Sequence, residues 1–245
     1  MVQTAEGRVA RLLVVVGLAI ASVSLGACTP VRMTVPSDVQ ADSEVFEAKG
    51  RSWASGMLVD ESFQIGPFAV KNVDRSAIAG RASTKYEHVA FIFFRKAEHE
   101  ELKGGYSFDF LEGEAGLRAE CHTFTNRRKR TESDGWDVTE EASRLACACE
   151  GADRTSTLEL HLSGRNPKGT LTLGERSFEA TSVKTTNSRW APAEPVGFRV
   201  DGDEGSLGAV ELLRPGRIWL SRKLSPDERR ELACLFTGVL LHVED

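Results

Sequence analysis

The end of the chain constrains the fold most. From 232 to 241 every position is apolar or small: Leu-Ala-Cys-Leu-Phe-Thr-Gly-Val-Leu-Leu. Just before it, Ser225-Pro226-Asp227-Glu228 reads as a helix start. Ser stands at the N-cap, Pro at the first helical position, acidic groups fill the first turn, and Glu228 is placed for a capping box. The pattern predicts a helix over 226–242. A surface helix needs a polar stripe, and this one has none, so it must be buried on all sides. It is also too short to span a bilayer, which takes roughly 20 apolar residues. The rest of the chain therefore has to enclose it.

What precedes the helix is mostly period two. Candidate strands lie at 63–73, 88–95, 105–111, 117–125, 143–149, 155–163, 169–173, 177–185, 196–200, 209–213 and 217–220. Leu158, Leu160 and Leu162 alternate with Thr157, Glu159 and His161, as a half-buried strand requires. The connections carry turn residues, among them Gly151-Ala152-Asp153, Asn166-Pro167-Lys168-Gly169 and Asp201-Gly202-Asp203. Short strands at roughly 8–12-residue spacing argue for an antiparallel architecture. The fold class expected is mainly β, an antiparallel barrel or sandwich with one buried C-terminal α-helix. One segment breaks the pattern: 125–141, with Arg127-Arg128-Lys129-Arg130 and then Asp134-Gly135-Trp136-Asp137, reads as a long exposed excursion between strands. A many-stranded sheet followed by an all-apolar terminal helix resembles the tubby C-terminal-like fold, over about residues 60–242. The resemblance implies a closed barrel wrapped around a central helix. It rests on pattern, not on a motif, so no functional residue is carried over.

The N-terminus speaks to location. Arg8 and Arg11 precede an apolar run from 12 to 25, the order of parts in a secretory signal. The run closes on Leu25-Gly26-Ala27-Cys28, which resembles the bacterial lipobox. That resemblance implies diacylglyceryl on the Cys28 sulfur, cleavage before Cys28, and a third acyl chain on the new amino group. The alternatives are an uncleaved anchor or an ordinary signal cut near Ala27. Thr29 stands where Asp would favour inner-membrane retention, so the expected location is the cell envelope, lipid-anchored in the outer membrane. Residues 1–27 are then the signal, 28–43 a lipidated Cys and flexible tether with Pro30 and Pro36, and 44–245 one β-rich domain. Removing Glu6, Arg8 and Arg11 with the signal takes the formal charge from −5 to −6. That balance argues against nucleic-acid binding as a main role.

Four further cysteines remain: Cys121, Cys147, Cys149 and Cys234. In an oxidising compartment an even count reads as two disulfides. Cys147 and Cys149 are two apart on a candidate strand and share a face, so each is expected to bond elsewhere. The expected pairing joins Cys234 to Cys147 or Cys149, and Cys121 to the other. A metal reading, with Cys121, His122, Cys147 and Cys149 around zinc or copper, lacks the paired spacing of zinc sites.

Chemistry is sparse. No His falls in an H-E-x-x-H frame and no Ser sits in a G-x-S-x-G elbow. No catalytic residue, metal ligand or cofactor is assigned. His122 and His161 alternate with polar neighbours and are expected to face outward. The run Arg127, Arg128, Lys129, Arg130 is the candidate contact for anionic headgroups or a phosphate-bearing polymer, or else a solvated loop beside Glu132, Asp134 and Asp137. Function is expected to be a membrane-tethered binding or structural module with an envelope protein, lipid or polymer as partner. The alternative is a lipid-anchored hydrolase or redox enzyme using Cys or His chemistry.

Overall fold

The C-terminal helix forms at the expected bounds, and the sheet closes around it. The structure, a computed structural model, describes residues 30–51, 61–89, 93–131, 137–189, 192–203 and 205–242. Residues from Arg32 onward form one compact unit. In chain order this holds α1 (Ser37–Asp42), β1 (Ser43–Lys49), β2 (Phe63–Ile65), β3 (Phe68–Val89), β4 (Phe93–Glu112), β5 (Ala115–Thr131) and β6 (Asp137–Glu150). There follow β7 (Thr155–His161), β8 (Lys168–Leu173), β9 (Arg176–Val183), β10 (Gly197–Gly202), β11 (Gly205–Glu211), β12 (Arg217–Ser221) and α2 (Pro226–His242). Each strand pairs antiparallel with its neighbours in sequence, and β1 pairs with β12. The sheet of twelve described strands is thus a closed barrel, which leaves the sandwich alternative aside.

Helix α2 threads this barrel. It contacts β5, β6, β7 and β8 on one wall and β11 and β12 on the other. Every residue from 231 to 241 is buried, so no polar stripe is needed. Around it pack Phe108 and Phe110 of β4, Leu145 of β6, Leu158 and Leu160 of β7, Leu171 of β8, and Ile218 and Leu220 of β12. The capping box forms: the Ser225 N–H donates to Glu228 Oε2 at 2.9 Å, and the Glu228 N–H to Ser225 Oγ at 3.4 Å. Thr237, buried in the helix, donates its hydroxyl to the Ala233 carbonyl at 2.8 Å. That satisfies a donor which would otherwise be stranded in an apolar core.

Both disulfides are present. Cys121–Cys147 joins directly opposed positions of β5 and β6, and Cys149–Cys234 staples β6 to α2 across 85 residues of sequence. Gly238 faces the first of these. A Cβ there would lie 2.7 Å from Cys147 Sγ and 2.8 Å from Cys121 Sγ, so only glycine admits this approach of helix to disulfide.

Three expectations are corrected. The tether expected over 28–43 is, from Arg32 on, a packed strap. Met33, Val35 and Val39 are buried on the outside of the barrel against Val196, Ala209 and Trp219. The strand expected at 88–95 is two strands, β3 ending at Val89 and β4 beginning at Phe93. Of the excursion expected over 125–141, residues 125–131 and 137–141 are the paired upper parts of β5 and β6, and 132–136 lie outside the described residues. Among the described residues no helix is long and apolar enough to cross a membrane.

Candidate functional site

The barrel has two ends. The lower end carries the N-terminus of α2 and the β2–β3, β4–β5, β6–β7, β8–β9 and β10–β11 connections. The upper end carries the C-terminus of α2, and β3, β4, β5 and β6 continue well past it as a four-stranded sheet. From Ser76 to Val89 this sheet reaches roughly 40 Å at ordinary strand rise.

At the upper mouth three of the last carbonyls of α2 accept side-chain hydrogen bonds. The Tyr106 hydroxyl donates to the Gly238 carbonyl at 2.5 Å, and Arg51 Nη2 to that of Leu240 at 2.5 Å. Both terminal nitrogens of Arg75 donate to Leu241 O at 3.3 Å. Two guanidinium groups thus sit at the negative end of the helix dipole. Glu61, 3% exposed, neutralises Arg75 through contacts at 3.0 and 3.2 Å. At the rim, buried Glu211 accepts from the Met33 N–H and from Arg217, and so ties the N-terminal strap to β11 and β12. A third buried acid, Glu231 of α2, lies toward the lower end and accepts from Ser156 Oγ at 2.5 Å.

The projecting sheet is different: over 98–101, 126–129 and 138–142 most of its side chains are charged or polar. The basic run lies on β5, with acidic strands on either side. Arg127 stands opposite Glu100 of β4 and Glu141 of β6, Arg128 opposite His99 and Glu140, and Lys129 opposite Glu98 and Thr139. Arg127 binds both of its partners, at 3.4 Å to Glu100 and 3.0 Å to Glu141. Arg130 is paired in register with Ala97 and Val138. Lys103 hydrogen-bonds Glu101 at 2.9 Å, and with its charge holds that carboxyl below the ordinary range. Charge pairs of this kind, within a strand and across strands, recur along this part of the sheet. A hollow of about 450 Å³ opens here, lined by Ala82, Ser83, Glu98, His99, Glu100, Arg127 and Lys129. Its lining suits ion pairing and hydrogen bonding.

Of the other residues singled out in the sequence, His122 and His161 do face outward, each 3.2 Å from a glutamate on its own strand. Cys121, Cys147, Cys149 and Cys234 are brought together around α2, but as disulfides, so their sulfurs are not thiolate ligands. Among the described residues no group of three or more His, Cys, Asp or Glu could hold a metal ion. Cys28, Glu132 and Asp134 lie outside the described residues. The buried acids Glu61, Glu211 and Glu231 had no sequence signal, because each owes its role to a partner distant in the chain. No protein-family model, curated protein or solved structure matches the chain.

Proposed function

We propose that this protein is a lipid-anchored envelope module without catalytic chemistry, a rigid barrel that mounts a charged four-stranded sheet for contact with a partner. The observation that supports the non-catalytic part is the filled barrel. Its interior is taken by the chain's own helix, and the helix carbonyls at the mouth are taken by Tyr106, Arg51 and Arg75. Ligand contacts then fall to the outside, where the projecting sheet offers a charged surface. The enzyme alternative needs a Cys or His nucleophile or base. The four sulfurs of the barrel are bonded and at most 3% exposed, and His122 and His161 sit on an open outer wall.

The lipid anchor rests on Leu25-Gly26-Ala27-Cys28, and two disulfides suit an exported protein. Cys28 precedes Arg32 by four residues, a chain length of at most about 14 Å. Arg32 is at the upper rim, where its Nη1 lies 3.6 Å from Glu211 Oε2. A lipid on Cys28 would therefore be linked to the barrel at its upper rim. The barrel-round-helix arrangement also supports the tubby-like reading of the architecture, without a function attached.

Mass spectrometry of the mature N-terminus from the native envelope tests the anchor. We expect an acylated peptide beginning at Cys28, and loss of membrane partitioning in Cys28→Ala. An unacylated N-terminus at another residue overturns the proposal.

A further inference from the structure

We propose that the projecting sheet is an assembly surface for a second copy of this chain. The outer edge of β3 in one copy would pair, antiparallel, with the outer edge of β6 in the next. Among the described residues, β2 covers β3 only at Phe68, Ala69 and Val70. On the other side β7 covers β6 only from Arg144 onward, and the Leu162 N–H reaches Ser143 O. Among the described residues, 76–89 and 137–142 therefore present two bare strand edges on one sheet. Bare edges of this length template the addition of another strand, and proteins that stay monomeric blunt them.

The charge pattern selects the strand that is added. Consider the five-residue band in which 81–85, 97–101, 126–130 and 138–142 lie side by side. Arg81 and Lys85 give β3 a formal charge of +2 there, and Glu98, Glu100 and Glu101 give β4 −3. Arg127, Arg128, Lys129 and Arg130 give β5 +4, and Glu140 and Glu141 give β6 −2. Sign alternates strand by strand, and the two edges carry opposite signs. A β3 edge set beside β6 continues the alternation. Two β3 edges, or two β6 edges, would set like charges opposite each other, which is destabilising.

Direction agrees with charge. β3 runs up from the barrel and β6 runs down toward it, so copies standing side by side with the same end up meet antiparallel. The contact is heterologous: each copy offers a different edge on each side, and a ring or a row follows according to whether the rotation closes. The inference does not depend on the lipid anchor.

The test uses the full chain in detergent, with p-benzoylphenylalanine at position 83 on the β3 edge. Irradiation should cross-link it to residues 137–142 of another copy, identified by mixing isotope-labelled and unlabelled protein. Reversing one edge, Arg81→Glu with Lys85→Glu, should weaken self-association at least about tenfold, as should Glu140→Lys with Glu141→Lys. Mixing the two variants should restore the cross-link, because a Glu-bearing β3 then meets a Lys-bearing β6. A melting curve on each variant separates lost association from lost folding, and the wild-type cross-link decides by itself if a variant fails to fold. A single-chain mass at tens of micromolar overturns the proposal, as does a cross-link from 83 to β3 of the partner or to a different protein.

Discussion

Gly238 gives the sharpest test of how α2 sits in the barrel, because two effects there have opposite signs. In a helix interior, Gly→Ala is worth about 1 kcal/mol in favour of alanine from propensity alone. Against that, the new methyl would lie 2.7 Å from Cys147 Sγ and 2.8 Å from Cys121 Sγ. Optimal contacts between non-bonded carbon atoms are about 3.5–4.0 Å, and sulfur is larger, so the overlap is about an ångström or more. The obstacle is a cross-link fixed at both ends to the barrel wall, and the helix is held by Tyr106, Arg75 and Cys149. Overpacking of this kind costs typically about 1–3 kcal/mol. The upper part of that range should apply here, for a net destabilisation of about 1–2 kcal/mol. In urea, at a slope of about 2 kcal/mol/M, the midpoint falls by roughly 0.5–1 M. The control is the Cys121→Ala/Cys147→Ala background. It loses about 3.5 kcal/mol of loop constraint for 26 residues. With the sulfurs gone, Gly238→Ala fills space and should stabilise by about 1 kcal/mol. The coupling between the sites is then about 2–3 kcal/mol, as expected for groups in contact. If Gly238→Ala raises the midpoint of the disulfide-bonded protein, α2 does not pack on Cys121–Cys147.

Leu240→Asp should abolish cooperative folding, since Leu240 is fully buried in α2 and native stability is only about 5–15 kcal/mol; unfolding at the wild-type urea midpoint would make the helix peripheral. Arg75→Met strands Glu61 and uncovers Leu241 O, for a loss of about 3–5 kcal/mol by chemical denaturation, of which Arg75→Met/Glu61→Leu should recover part. Asp109 is held below the ordinary carboxylate range, first by a hydrogen bond from Asn72 and then by Arg118. A lowered folded-state pKa gives stability that is present above the ordinary value and lost as pH falls through the lowered one. Asp109→Asn should therefore destabilise at neutral pH, with the difference from wild type in thermal melts closing below about pH 4.

The barrel and its plug were legible because hydrophobic burial writes a period. Leu158 and Leu160 point inward from β7 and Leu171 and Leu173 from β8, and α2, apolar all round, fits the middle. Both cysteine bonds were legible to within one choice, since Cys147 and Cys149 share an inward face and their partners lie on different elements. The projecting sheet left no such trace. Its strands alternate charge between strands rather than apolarity along them, so Arg127 to Arg130 looked like a loop until Glu98, Glu100, Glu140 and Glu141 were set beside it. β1 was missed for a related reason. Val45 points out and is 46% exposed, and Glu44 and Glu47 flank it, so the strand is held by pairing with β12 rather than by its own pattern. The strap at Met33, Val35 and Val39 was hidden by its prolines.

The central claim is a barrel closed around its own C-terminal helix and held by two disulfides. Non-reducing peptide mapping of the native protein, isolated without reductant, tests it most directly. Trypsin leaves Cys147 and Cys149 on one peptide, so fragmentation within Ala146-Cys147-Ala148-Cys149 must assign each partner. The account predicts Cys121–Cys147 and Cys149–Cys234, the second closing an 85-residue span worth about 4.6 kcal/mol of loop constraint. Four free thiols, or a bond between Cys147 and Cys149, would contradict it.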